Sequence, residues 1–298
     1  MKSKTFIRLV LVAGMAFIFL IVPTEVQLAA NQQPGPGAGQ QDARGGQQAA
    51  RGGAFGPVDP RVEQRTYLFG DTNEELPYAV FVSSKATSDR GNPLVVALHG
   101  LGGTQDTFMR SNYRAVEFAE DGGYILVGPM GYNPSGWYGV PAGGRGGRGG
   151  RGATPDPPNV RELSERDVMN VLAMIREEFN VDENRTYLMG HSMGGAGTFH
   201  LGVKYASNWA AIAAIAPAAF GMQPDILQEI RDMPVILVQG DADTAVPVAN
   251  TRLWAEKLGE LGMTHEYHEI PGGDHVNVIS TGMPDIFAFF EEHTRSSR

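Results

Sequence analysis

The chain has 298 residues, 42 % of them hydrophobic, enough for a sizeable core in one large α/β domain or two small ones. Its net charge of −9 provides no basic footprint for nucleic acid. It contains no cysteine, which excludes a disulfide scaffold, a cysteine-ligated zinc site and a thiol nucleophile.

The N-terminus carries Lys2, Lys4 and Arg8, then an apolar run from Leu9 to Val22, then the small pair Ala29-Ala30. This layout predicts a secretory signal peptide over residues 1–30, and hence a secreted or periplasmic protein. The run is short for a membrane span, which takes about 20 apolar residues. An uncleaved N-terminal anchor is the alternative. Residues 31–61 are rich in Gln, Gly, Pro, Ala and Arg and predict a disordered linker. A second low-complexity patch, the Gly/Arg run at 143–152, predicts a flexible insertion in a surface loop. An RNA-binding tract is the competing reading, and the acidic balance of the rest argues against a nucleic-acid partner.

From residue 62 onward, short apolar runs alternate with helical patterns. Strands are predicted at 65–68 and 78–82, paired with each other, and then at 94–98, 124–127, 186–189, 211–215, 235–238 and 265–270. Helices are predicted at 106–119, 164–179, 195–205, 248–261 and 283–293. In the second of these, Val168, Leu172, Ile175 and Phe179 fall on one apolar face. Such alternation predicts an α/β fold: a mostly parallel sheet covered on both faces, with ligands beyond the carboxyl ends of its strands.

The chemistry-bearing signals fall at those ends. Gly190-His191-Ser192-Met193-Gly194 follows a predicted strand and precedes a helix. A nucleophile on so tight a turn needs small neighbours, and the glycines supply the room. A hydroxyl needs a base and the base an orienting acid, both at the ends of later strands. His275, in the loop after the last strand, is the expected base. For the acid, Asp243 is favoured over Asp241, which follows its strand directly and suits loop stabilisation. Asp274 neighbours the base and is expected to stabilise its loop. An oxyanion needs two donors. The Met193 N–H is one; the Leu101 N–H, in the glycine-rich loop His99-Gly100-Leu101-Gly102-Gly103, is the other, with Gly100 as the alternative. Trp137 could meet the substrate or merely pack its loop. His265 and His268 are three apart in a strand, face opposite sides and make no metal pair. No metal and no organic cofactor is implied.

These stretches, together with Gly240-Asp241-Ala242-Asp243-Thr244-Ala245-Val246-Pro247, resemble the α/β-hydrolase superfamily over roughly residues 62–293. The resemblance is to secreted esterases grouped with polyhydroxybutyrate depolymerases and feruloyl and acetylxylan esterases, and to prolyl-oligopeptidase-like catalytic domains. It implies an eight-stranded, mostly parallel sheet and supports Asp243 as the acid. The expected activity is hydrolysis of a small-molecule or polymeric ester through an acyl-enzyme. A peptidase of the prolyl-oligopeptidase type and a non-catalytic binding protein on the same fold are the rivals.

Overall fold

The computed structural model describes residues 56–141 and 156–295. The expected signal peptide, most of the expected linker and the Gly/Arg run lie outside the described residues. The domain starts earlier than residue 62. The Asp59 N–H donates to the Met109 carbonyl and the Ser111 N–H to the Pro57 carbonyl, both at 2.9 Å, so 57–61 are tied to the body of the protein.

Eight strands form one sheet in the order β1-β2-β4-β3-β5-β6-β7-β8. They are β1 (Glu63–Phe69), β2 (Glu74–Val82), β3 (Asn92–Leu98), β4 (Ile125–Pro129), β5 (Val181–His191), β6 (Ala211–Ile215), β7 (Val235–Gly240) and β8 (His265–Ile270). The first two pair antiparallel, and β2 pairs antiparallel with β4. From β4 across to β8 every pairing is parallel. The helices are α1 (Ala115–Gly122), α2 (Val160–Glu178), α3 (Met193–Lys204), α4 (Val248–Glu260) and α5 (Asn277–Glu292).

Parallel strands buried on both faces need apolar residues at every position, and β3 shows why its run is continuous. Leu94, Val96 and Leu98 enter the cluster with Val168, Leu172 and Ile175 of α2 and Phe199 of α3. Val95 and Ala97 enter the opposite cluster with Val116 of α1 and Met283 and Phe290 of α5. Two layers of helix therefore sandwich the sheet, and its carboxyl-end loops converge on one rim.

Two helices differ from their sequence-based expectation. The stretch expected as one helix at 106–119 is two 3-10 turns, Thr107–Met109 and Ser111–Tyr113, followed by α1. Arg114 breaks it, standing in the left-handed region at φ 62. In turn, α5 starts six residues before the expected 283, because the Asp274 carboxylate accepts the N–H groups of Val276 and Asn277 and caps it there. Pro284 sits inside this helix.

Candidate active site

Ser192 stands between the end of β5 and the first residue of α3, at φ 56 and ψ −113. This conformation is costly for a residue with a side chain and persists only where neighbours over-determine it. They do. The Ser192 N–H donates to the Ile215 carbonyl at 2.9 Å, and its carbonyl accepts the N–H groups of Ala196 at 3.1 Å and Ala218 at 2.9 Å. The turn closes because no side chain stands in the way. A Cβ at Gly194 would overlap the Leu98 carbonyl and lie 2.8 Å from the His99 oxygen.

The structure brings Ser192, His275 and Asp243 together. His275 Nε2 lies 2.9 Å from Ser192 Oγ, and His275 Nδ1 lies 2.7 Å from Asp243 Oδ2. Asp243 is buried at the end of β7, and its Oδ1 accepts the N–H groups of Ala245 and Val246, each at 2.8 Å. Burial works against its charge. The Val246 N–H, the His275 ring and the Ala245 N–H outweigh burial and hold the carboxyl below its usual range. Asp241 instead accepts the Gly272 N–H at 2.6 Å, tying the loop after β7 to the loop after β8.

The His99–Gly103 loop packs directly over Ser192. A Cβ added to Gly100 would lie 3.3 Å from Ser192 Cβ and 3.0 Å from His191 Nδ1. The Gly100 carbonyl accepts the Gly103 N–H at 2.9 Å. A trans peptide sets the following N–H, that of Leu101, on the opposite side. Met193 opens α3, where the first N–H groups of a helix have no partner within it. His99 is fully buried, and its ring nitrogens face the Gly100 and Met130 carbonyls, each at 2.8 Å. It thus couples this loop to the one after β4.

That second loop carries Trp137, which the structure places 4 % exposed in the core cluster. Its indole Nε1 is buried with no hydrogen-bond partner among the described residues. Trp137 and Tyr138 both have positive φ, 61 and 49. The Tyr138 N–H donates to Ser164 Oγ at 3.0 Å and its hydroxyl to the His99 carbonyl at 3.2 Å. Asp167, buried on α2, accepts the Gly131 N–H at 2.6 Å and the Tyr132 N–H at 3.1 Å.

The other histidines are occupied elsewhere. His200 pairs with Glu165, His268 lies between Glu266 and Asp285, and His265 and His293 bond the carbonyls of Met263 and Phe289. Among the described residues, no group of three His, Cys, Asp or Glu could hold a metal ion. Three buried polar residues at the site escaped sequence reasoning: His191, Gln239 and Thr251. Gln239 Nε2 donates to Asp243 Oδ2 at 3.0 Å, and the Thr251 hydroxyl donates to Gln239 Oε1 at 2.6 Å.

A family described as "Serine aminopeptidase, S33" matches residues 137–231. Feruloyl esterase B of Neurospora crassa is 32 % identical over 129 residues, 42 % of this chain and 39 % of that protein. A bifunctional acetylxylan esterase/xylanase of Neocallimastix patriciarum is 29 % identical over 154 residues, 51 % of this chain and 19 % of that protein. These matches span well under half the length of the curated relatives. The crystal structure of a thermostable esterase superposes with a TM-score of 0.64 at 25 % identity, covering 80 % of this chain and 64 % of that one. The α/β-hydrolase fold expected from the sequence, with its eight-stranded, mostly parallel sheet, is borne out.

Proposed function

We propose that this chain is an exported serine hydrolase that cleaves carboxylic esters through an acyl-enzyme on Ser192. The observation that carries the reading is the continuous line Asp243 Oδ2, His275 Nδ1, His275 Nε2, Ser192 Oγ, with contacts of 2.7 and 2.9 Å. His275 takes the hydroxyl proton as Ser192 Oγ attacks the ester carbonyl. Asp243 holds the tautomer that leaves Nε2 free to accept, and stabilises the imidazolium. The tetrahedral oxyanion rests on the N–H groups of Met193 and Leu101, aided by the positive end of α3. His275 then gives its proton to the departing alcohol. A water, deprotonated by the same imidazole, releases the acid and restores Ser192. Similarity to feruloyl and acetylxylan esterases supports an ester carrying an aromatic or a short acyl group.

Ser192→Ala decides the chemistry. Hydrolysis of p-nitrophenyl acetate is expected to fall by about 10⁴-fold or more, and full activity in that variant would remove Ser192 from the mechanism. A panel of acetyl, butyryl and feruloyl esters then ranks the acyl groups. The matched family's description as serine aminopeptidase favours one second reading, cleavage of aminoacyl amides. Aminoacyl anilides run beside the ester panel separate the two. Export rests on the charged start, apolar run and Ala29-Ala30 exit. N-terminal sequencing of the mature protein tests it, and a mature chain that retains Met1 contradicts cleavage.

A further inference from the structure

Strand β7 runs Val235-Ile236-Leu237-Val238-Gln239-Gly240. One residue in it is chemically out of place. Gln239 is 0 % exposed, and burying an amide costs several kcal/mol unless its groups are bonded. They are. Nε2 faces three oxygens: the Gly240 carbonyl at 3.2 Å, Asp243 Oδ2 at 3.0 Å and the Val246 carbonyl at 3.2 Å. Oε1 accepts the hydroxyl of Thr251, itself fully buried in the first turn of α4. The amide has only one workable orientation, since turning it over would set Oε1 against three acceptors.

The consequence falls on Asp243. A carboxylate has about four acceptor sites, and here two backbone N–H groups take Oδ1 while Gln239 and His275 share Oδ2. Gln239 also binds the carbonyl of Val246, whose N–H holds Oδ1. One side chain therefore fixes both the carboxylate and the turn that cradles it.

We propose that Gln239, its amide aimed by the Thr251 hydroxyl, is a positioning residue that sets the direction and the strength of the Asp243–His275 hydrogen bond. This rests on the reading of Ser192, His275 and Asp243 as the catalytic groups. A donor on Oδ2 draws charge from the oxygen that His275 uses. Removing that donor concentrates charge on Oδ2 and strengthens its bond to a protonated ring. It also frees the carboxylate to rotate, and small misplacements of a catalytic group cost up to about a hundredfold in rate.

The test is a series on the full chain with p-nitrophenyl acetate: Gln239→Met, Thr251→Val and Thr251→Ser, with Ser192→Ala as the control. Gln239→Met keeps the side-chain length without the donor and is expected to lower kcat about ten- to a hundredfold with KM nearly unchanged. The acid limb of its kcat/KM profile should move up by about half a pH unit or more. Thr251→Val leaves the amide unaimed and should show the same changes, smaller, while Thr251→Ser keeps the hydroxyl and should match the parent. If Gln239→Met fails to fold, the two Thr251 variants carry the same comparison. Folded variants whose activity still needs Ser192 but whose acid limb stays in place overturn the role of Gln239 alone. A fully active Ser192→Ala enzyme overturns the catalytic reading and this role with it.

Discussion

His191 donates its Nε2–H to the carbonyl oxygen of His275 across 2.6 Å, and the two rings lie 4.6 Å apart at 48°. The strand that leads into Ser192 thereby holds the backbone of His275. Burial first, and then the neighbouring His275, push the His191 ring down to about 3, so it is neutral near pH 7. A charged ring there would repel the imidazolium. His191→Phe fills the space but leaves the His275 carbonyl without its donor. The expected result is a fall in kcat of about tenfold or more, partly recovered in His191→Gln. Steady-state kinetics on an aryl ester measures it, and an unchanged kcat in His191→Phe shows the bond to be idle.

Two glycines near Ser192 should fail in different ways. A Cβ at Gly194 meets the backbone of Leu98 and His99, which cannot move without opening the sheet. Gly194→Ala is expected to lose about 3 kcal/mol or more of stability, read as a fall in Tm or as insoluble protein. A Cβ at Gly100 meets side chains at 3.0 and 3.3 Å, and a shift of a few tenths of an ångström relieves it. Gly100→Ala should therefore fold, with the oxyanion loop lifted and kcat reduced. A Gly194→Ala protein that melts like the parent contradicts the first expectation, and a fully active Gly100→Ala the second.

Asp167 offers a test in which pH sets the sign. Burial pushes its carboxyl up, against the opposing bonds from the Tyr67 hydroxyl and the Tyr132 and Gly131 N–H groups. The folded protein thus holds this proton more tightly than the unfolded chain. The cost of the buried charge is fully present above the raised pKa and vanishes as pH falls towards 3.8. Asp167→Asn keeps an acceptor for the two N–H groups and removes the charge. Its Tm is expected to equal or exceed the parent's at pH 7, with any gain shrinking on acidification. Thermal melts between pH 4 and pH 8 follow it, and a lower Tm at pH 7 runs against it.

Ser192, Asp243 and His275 were legible because each sits in a short local pattern at a strand end, where chain order alone arranges the candidates. Strands β3, β4, β6 and β7 were legible because strands buried on both faces are nearly uninterrupted apolar runs. What escaped depends on distance in the sequence. Gln239 is one polar residue closing an apolar run, and its role requires Thr251 on another element and Asp243 beyond the strand end. His191 reads as a variable position in the Gly-x-Ser-x-Gly pattern until His275 is brought beside it. The break at Arg114 and the early start of α5 are set by one backbone conformation and one capping carboxylate, neither of which leaves a periodic signal. Composition alone extends the linker to residue 61, because the hydrogen bonds that tie down Pro57 and Asp59 come from 109–111.

Leu101, Phe220 and Val276 are exposed at 54, 41 and 40 %, and each is close in the chain to a residue packed against or bonded to Ser192. Leu101 follows Gly100, Val276 follows His275, and Phe220 is two residues beyond Ala218, whose N–H bonds the Ser192 carbonyl. Two residues of chain reach about 7 Å, which makes these three the exposed apolar residues to test as a rim for the acyl chain. Single exposed apolar residues need no explanation, but a group of them beside the proposed catalytic serine would be a surface an apolar substrate can cover. An acetyl group is too short to reach such a rim, whereas an octanoyl chain is long enough. Replacing all three with serine should leave kcat/KM on p-nitrophenyl acetate within about twofold and lower it about tenfold or more on p-nitrophenyl octanoate, since each methylene held in an apolar contact is worth about 0.8 kcal/mol. The chain-length series reads the difference directly. An equal loss on both esters would mean that the substitutions disturb the loops rather than the contact, and no loss on either would place the acyl chain elsewhere.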